Sequence, residues 1–224
     1  AQRERIESLG RFSLAVAHQI RNPLMVVGGF AGRLLRGKAE GDPEAEALAM
    51  ILDGAKRLEA VVQAVSAYAQ RREPTPVLFD PAELAARAVA AAQARTGATA
   101  RLDLDATVGL ARTDPALVTE ILTELCANAL EAMAAPGGPP AGQGVVAVHA
   151  YREGPALVVT VADNGPGPNA GVLAYAFDPF FTTKAVGVGM GLAMARRRAE
   201  DLGGSLTLAR GSAGGGTARL LLPD

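Results

Sequence analysis

The hydrophobic residues in the first third of the chain recur at steps of three and four residues, the pattern of an amphipathic helix. One stripe predicts a helix from near the N-terminus to about Arg36, and it comprises Leu9, Phe12, Val16, Ile20, Leu24, Val27, Ala31 and Leu34. A second stripe, after the break at residues 37–41, comprises Leu48, Leu52, Ala55, Leu58, Val62, Val65 and Ala69. It predicts a helix that is capped by Asp42, continues from Pro43 and ends near Arg72. Two long helices with a short connection predict an antiparallel hairpin.

A single helical hairpin buries these two stripes poorly, because each helix has only one neighbour. Two hairpins together form a four-helix bundle with a shared core. We therefore expect a homodimer. A coiled-coil spacer is the alternative that this stretch leaves open.

The pattern changes after the proline-rich residues 73–76 to strands that alternate with helices. We predict strands at 77–79, 99–104, 108–111, 145–151, 157–161, 205–209 and 217–222, and helices at 80–95, 114–134 and 189–202. The strand at 108–111 is expected to pair with the one at 99–104, and the glycine- and proline-rich stretch before the last helix is expected to be flexible. The fold class is therefore α+β, with a dimerising helical hairpin in residues 1–73 and an α/β sandwich with a mixed sheet in residues 74–224.

Composition narrows the class of protein. The net charge of the 224 residues is -1, which gives no electrostatic case for binding nucleic acid or an anionic membrane. No apolar run reaches the ~18 residues of a membrane span, and the single Cys126 excludes an internal disulfide. The chain starts inside a helical pattern, so we expect a cytoplasmic fragment of a longer protein whose full length is a candidate for membrane anchoring.

His18 stands out on the first helix because it lies two residues from both Val16 and Ile20. At about 100° per residue, this spacing places the imidazole roughly opposite the apolar stripe and facing water. An exposed imidazole with a pKa near ~6.5 is partly neutral at pH 7 and is able to act as a nucleophile. Pro23 follows inside the helical pattern, where it removes a backbone hydrogen bond.

Polar residues in the second domain suggest a ligand pocket. Glu124 and Asn128 are four residues apart and therefore neighbours on one helix face, where Asn128 is able to offer an uncharged oxygen to Mg²⁺. A simple surface hydrogen bond is the alternative for that pair. Asp163 follows a predicted strand directly, and its carboxylate suits an adenine amino group, while Gly165 and Gly167 allow close backbone approach. An ordinary turn is the alternative there.

Two further stretches fit a phosphate-binding loop. Gly187, Gly189 and Gly191 open a predicted helix, where free backbone N–H groups face anions. Residues 178–184 read DPFFTTK, and two adjacent aromatic residues are notable in a chain with 4% aromatic content. Lys184 ends this stretch and supplies a cation for phosphate.

Together these motifs resemble the sensor histidine kinases. Residues 17–24, AHQIRNPL, resemble the H-box, and Leu125, Asn128 and Ala129 resemble the N-box. The G1, F and G2 boxes correspond to residues 163–167, 177–184 and 187–192, the last ending in Leu192. Gly216 and Thr217 resemble the final turn that faces the nucleotide.

The resemblance implies ATP and Mg²⁺ as cofactors, with Asn128 as the metal ligand, under a lid at about residues 166–186. It further implies that the γ-phosphoryl group passes to His18 and then to an aspartate on a response-regulator receiver domain. Asn22 is placed to orient water for dephosphorylation of that partner. Two residues depart from the family pattern: Gln19 replaces a carboxylate, and Glu131 stands where many members have lysine.

Two other functions remain open from the sequence. Because Gln19 is not able to take a proton, an ATP-binding scaffold or phosphatase-biased module with weak kinase activity is the main alternative. An ATPase of the gyrase and heat-shock chaperone type is the other, since Glu124 precedes Asn128 by four residues and a glutamate at that place activates water.

Overall fold

A computed structural model describes residues 2–38, 42–99, 101–106, 108–184, 187–211 and 214–223. It describes the side chains of this set from Gln19 onward, apart from Leu104 and Ala106. The chain forms two compact units, the first comprising Ala1–Arg71 with Val186–Val188 and the second Arg72–Ala185 with Gly189–Asp224.

The first unit is a helical hairpin, as the two apolar stripes predict. Helix α1 spans Gln2–Leu35 and continues through Pro23, and helix α2 spans Pro43–Ala69. Asp42 caps α2, because its side chain accepts a hydrogen bond of 2.8 Å from the backbone N–H of Glu44. The two helices bury small residues at their contact: Ala31, Ala55 and Val62 are all under 9% exposed.

Much of the apolar surface of this hairpin is left uncovered within one chain. The exposed large hydrophobic residues of α1 and α2 include Ile20, Met25, Val26, Val27, Phe30, Leu34, Met50, Ile51 and Leu58. Exposed apolar surface of this extent is typical of a face that binds a partner.

The second unit packs helices against a mixed five-stranded sheet, as predicted. Its strands are β2 (Arg101–Ala106), β4 (Val145–Glu153), β5 (Ala156–Asp163), β6 (Ser205–Arg210) and β7 (Gly216–Leu222), and its main helices are α3 (Pro81–Thr96), α4 (Pro115–Met133) and α6 (Gly191–Asp201). The sheet order is β2-β4-β5-β7-β6, with only β2 and β4 parallel. Ile121 and Leu122 of α4 are buried in the same hydrophobic core as Val148 and Leu220 of the sheet.

The pairing predicted for residues 108–111 is wrong. The strand at this place, β3 (Ala111–Thr113), pairs antiparallel with β1 (Val77–Phe79) in a separate two-stranded sheet. Strand β2 instead pairs in parallel with β4. A parallel pair needs a long crossover connection, and the chain through β3 and α4 supplies it.

A short helix lies in the stretch that was expected to be flexible. Helix α5 spans Ala170–Tyr175 and is capped by Asn169, whose side chain accepts a 2.9 Å hydrogen bond from the backbone N–H of Val172. Within the described residues, no helix is both long and apolar enough to span a membrane.

Candidate functional site

A cavity of about 470 Å³ opens in the second unit beside α4 and the ends of β5 and β7. Its walls are mostly apolar with a few polar groups, among them Asp163 and the cluster of Asn128, Glu131 and Lys184, as in small-molecule sites. The lining residues are Leu125, Asn128, Ala129, Glu131, Ala132, Ala135, Pro136, Val161, Asp163, Pro166, Gly167, Pro168, Val172, Thr183, Lys184, Leu192, Leu208, Gly216 and Ala218. The predicted residues Asn128, Asp163, Gly167, Lys184 and Leu192 therefore lie around one cavity.

Asp163 is the last residue of β5 and presents a partly buried carboxylate to this cavity. Burial raises the pKa of Asp163, and the backbone N–H groups of Gly216 and Gly165 oppose that rise. The Gly165 N–H donates to Oδ1 over 2.8 Å. The backbone thus fixes the orientation of the carboxylate, which is able to accept a hydrogen bond from an amino group of a ligand.

Glycines are required around Asp163 because two backbone segments meet there. A Cβ atom at Gly215 would overlap the carbonyl oxygen of Asp163, and one at Gly167 would overlap that of Gly214. Gly167 also has a φ of 72°, which disfavours any other residue. The lack of side chains at Gly167 and Gly215 therefore allows these two backbone segments to pack together beside Asp163.

The polar cluster of the cavity contains three linked side chains. Lys184 Nζ donates a 2.9 Å hydrogen bond to Oδ1 of Asn128 and forms an ion pair with the Glu131 carboxylate. The Nδ2 atom of Asn128 is buried and has no partner in the described part of the chain. An unpaired buried amide costs free energy, so this atom marks a position where a polar ligand group would be stabilised.

Glu124 does not line the cavity. It forms an ion pair with Arg95 of α3, with Nη2 at 3.2 Å from Oε2. A Cβ atom at Gly191 would lie 2.5 Å from that Oε2, so the carboxylate reaches the first residue of α6. This glutamate is therefore near the start of the helix that follows the glycine-rich loop, and a cation already neutralises it.

The glycine-rich loop has unusual backbone conformations and packs against residues 178–184. Gly189 has a φ of 70°, and a Cβ atom there would lie 2.7 Å from the carbonyl carbon of Phe180, so its backbone packs tightly against the aromatic segment. Phe180 itself has a φ of 69°, the one positive φ of a non-glycine residue in the described chain. Gly187 has a φ of 145° and belongs to the first unit.

Thr217 is not at the cavity. Its neighbours Gly216 and Ala218 line the cavity, and successive side chains of a strand point to opposite faces. The Thr217 side chain lies instead towards Gly211, where an added Cβ would be 2.9 Å from its Oγ1. Gly216 is therefore the residue of β7 that meets Asp163. The sequence holds a signal for this, because the alternation of Ala218, Leu220 and Leu222 fixes the inward face.

The predicted phosphoacceptor segment lies on α1. His18 is within Gln2–Leu35, but its side chain lies outside the described residues. Gln19 and Asn22 are both exposed. Both residues follow the histidine on the same helix and are accessible from water.

Two family comparisons cover most of the chain. Residues 113–224 match the family of histidine kinase-, DNA gyrase B- and HSP90-like ATPases, and residues 8–74 match the His Kinase A phospho-acceptor domain. The chain belongs to the sensor histidine kinase family. The first match alone would also admit gyrase-type ATPases, and the second one decides between them.

Individual relatives agree with this membership. The chain is 32% identical over 223 residues to the sensor protein kinase PilS of Pseudomonas aeruginosa and 31% identical over 229 residues to the sensor histidine kinase ZraS of Escherichia coli K12. The alignments cover 98% and 99% of this chain but 42% and 47% of those proteins, so the chain spans less than half of their length.

Solved structures share the fold. Full-length ShkA in complex with AMPPNP superposes with a TM-score of 0.72 at 22% identity, over 95% of this chain and 45% of that one. The histidine kinase ThkA in complex with the response regulator TrrA gives 0.65 at 23% identity, over 100% and 64% of the two chains. As a member of the histidine kinase-, DNA gyrase B- and HSP90-like ATPase family, this chain has an ATP-binding domain. The cavity around Asp163 lies in that domain.

Proposed function

We propose that this chain is an ATP-dependent, autophosphorylating protein-histidine kinase and the catalytic core of a two-component sensor. The observation that carries this function is the single cavity lined by Asp163, Asn128 and Lys184, in a chain that also matches the phospho-acceptor domain. An imidazole nitrogen of His18 attacks the γ-phosphorus of ATP. A P–N bond forms, the bond between the γ-phosphorus and the β,γ-bridging oxygen breaks, ADP leaves, and the imidazole proton passes to water.

The adenine end of the proposed site is built by β5 and its loop. Asp163 accepts a hydrogen bond from the adenine amino group, and the backbone at Gly165 and Gly167 passes close to the base. The apolar walls, among them Leu125 and Leu192, enclose the ring. Such a pocket excludes water and makes the hydrogen bond to Asp163 selective for adenine.

The phosphate end uses the groups around α4 and the start of α6. Asn128 would supply a side-chain oxygen to Mg²⁺, the kind of donor that suits a hard cation. The described residues contain no cluster of three or more His, Cys, Asp or Glu side chains that would hold a metal alone. Lys184, Glu124 and the backbone of Gly189 and Gly191 complete the phosphate-binding region, where a bound Mg²⁺ would neutralise phosphate charge.

The hairpin is the dimerisation and phosphoacceptor part, residues 1–73, and the ATP-binding part is residues 74–224. The exposed apolar residues of α1 and α2 support a homodimer, in which two hairpins form a four-helix bundle. A response-regulator receiver domain is the proposed acceptor of the phosphoryl group. Chasing labelled kinase with a purified receiver domain tests that acceptor, and label that stays on the kinase argues against it.

Gln19 and Asn22 lie close to the proposed phosphoacceptor His18 on α1. The Gln19 amide is able to hydrogen-bond the imidazole but not to take its proton, so transfer is slow. Asn22, one helical turn after His18 and exposed, is placed to orient a water that dephosphorylates the regulator. The same features would suit a phosphatase-biased module, which transfers no measurable phosphate to itself.

Substitution of Asp163 tests the nucleotide pocket. Loss of a buried polar partner costs about 1–3 kcal/mol, so Asp163→Ala is expected to weaken ATP binding by roughly ten- to a hundredfold in calorimetric titrations. Asp103→Ala removes an exposed carboxylate of β2 and serves as the control with unchanged affinity. Because the pKa of Asp163 is raised, affinity is also expected to fall on acidification sooner than for an ordinary aspartate. Equal ATP affinity of Asp163→Ala and the unmodified chain would remove this role.

A further inference from the structure

Two side-chain oxygens of α4 converge on one ammonium group in the polar cluster of the cavity. Lys184 Nζ contacts Oδ1 of Asn128 at 2.9 Å and the carboxylate of Glu131. The two acceptors are three residues apart on α4 and so lie on the same face of the helix. A single small cation thus already bridges an amide oxygen and a carboxylate oxygen.

The position of Glu131 is unfavourable for a polyphosphate unless a cation stays beside it. Glu131 lines the same cavity as Asn128, and an uncompensated carboxylate there would repel the phosphates. One carboxylate and one amide oxygen are also the ligand types that Mg²⁺ selects. The ammonium and the metal are not able to occupy the same pair of oxygens together.

We propose that Lys184 and Mg²⁺ exchange on this oxygen pair, so that Glu131 is a second protein ligand of the metal. Without nucleotide, Lys184 holds the pair. When Mg²⁺ arrives with the nucleotide, it takes the place of the ammonium between Asn128 Oδ1 and Glu131. Lys184 is then released to a phosphate oxygen. This exchange rests on the proposed function, because it requires that the cavity bind ATP with Mg²⁺.

The Mg²⁺ requirement of nucleotide binding tests the exchange. Calorimetric titration with the non-hydrolysable analogue AMPPNP at graded Mg²⁺ concentrations gives the Mg²⁺ concentration for half-maximal binding. Glu131→Gln is expected to raise it by at least about tenfold, the lower end of the range for residues that support a bound metal. Glu83→Gln removes an exposed carboxylate of α3 and is expected to leave it unchanged. An unchanged or lower Mg²⁺ requirement in Glu131→Gln would overturn the exchange.

A double-mutant cycle separates metal ligation from an effect through Lys184. If Glu131 binds Mg²⁺ directly, Glu131→Gln still raises the Mg²⁺ requirement about tenfold in a Lys184→Met background. If Glu131 acts only by holding Lys184, the effect disappears in that background, which contradicts the proposal. Lys56→Met, at an exposed position of α2, controls for the loss of one positive charge.

The same titrations distinguish this exchange from the proposed function. Absence of AMPPNP binding to the unmodified chain at saturating Mg²⁺ would overturn both. Normal binding together with an unchanged Mg²⁺ requirement in Glu131→Gln would overturn the exchange alone and leave the nucleotide site in place.

Discussion

Gln19 is the residue next to the proposed phosphoacceptor, and its exposed side chain has no carboxylate to offer as a base. Phosphoryl transfer depends mainly on positioning and charge stabilisation, so the neutral amide slows the reaction without preventing it. Gln19→Glu is expected to raise the autophosphorylation rate by at least roughly tenfold, since general-base help is worth about 10²–10⁴-fold. ATP affinity should change little.

Single-turnover labelling at saturating ATP measures this difference. Gln19→Asn keeps an amide at the same place and is the control that should not accelerate the reaction. Equal rates for Gln19→Glu and the unmodified chain would show that no base at this position limits transfer.

Single residues of the pocket were predictable where a local motif carries the chemistry. Asp163 and Asn128 follow from short motifs, and the structure places both at one cavity. Gly216 and Thr217 were predicted together as the nucleotide-facing turn. Only the pairing of β7 with β5 fixes which of the two faces the cavity, because a shift of one residue reverses the face. The contact of Lys184 with Glu131 joins residues 53 positions apart, which no local pattern reports.

Among the features of the secondary-structure elements, the starts of the helices were predicted best from the sequence. Asp42, Asp80 and Asp114 each precede a proline and cap α2, α3 and α4 through backbone N–H groups, as the sequence predicts. Both features act locally: the carboxylate accepts free N–H groups, and proline fits the first helical position. The pairing of β3 with β1 was not predictable in the same way, because it joins strands separated by the whole of α3 and β2.

Asp114 is the helix cap whose removal is expected to lower the stability more than that of Asp80. It accepts hydrogen bonds from the backbone N–H groups of Ala116 and Leu117 and also from Thr75, over 2.9–3.1 Å. Asp80 accepts one such bond, from Ala82. Asp114→Ala is therefore expected to lower the free energy of unfolding by ~2 kcal/mol and Asp80→Ala by ~1 kcal/mol, within the range for helix caps.

Urea denaturation of the two variants checks this order, which would be contradicted by an equal or larger loss in Asp80→Ala.

The stability that Asp114 contributes depends on pH with a defined sign. Burial raises the pKa of Asp114, but the N–H donors and Arg72 outweigh it and lower that pKa overall. The stabilisation from Asp114 is therefore present above the pKa of the unfolded state and is lost as pH falls through the lower folded pKa.

At the scale of the whole molecule, the uncovered apolar surface of α1 and α2 points to self-association. Leu58 is 54% exposed in the single chain although it belongs to the predicted apolar stripe. Leu58→Asp is expected to convert a dimer to monomers, because a buried charge without a partner is strongly disfavoured. Lys56→Asp places the same charge at an exposed polar position of the same helix and should leave the dimer intact.

Light scattering at micromolar concentration measures the molar mass and so distinguishes the dimer from the monomer. A monomer for the unmodified chain would argue against the four-helix bundle. A stable dimer for Leu58→Asp would place the interface elsewhere than on this stripe.

Phosphoryl transfer to His18 is tested most directly by mapping the phosphorylated residue. The chain has two histidines, His18 and His149, so His149→Ala is a matched control for His18→Ala. After incubation with γ-labelled ATP and Mg²⁺, the unmodified chain and His149→Ala are expected to carry acid-labile label, and His18→Ala to carry none. Stoichiometric label on His18→Ala, or free phosphate with no labelled protein in any variant, would contradict a protein-histidine kinase that acts through His18.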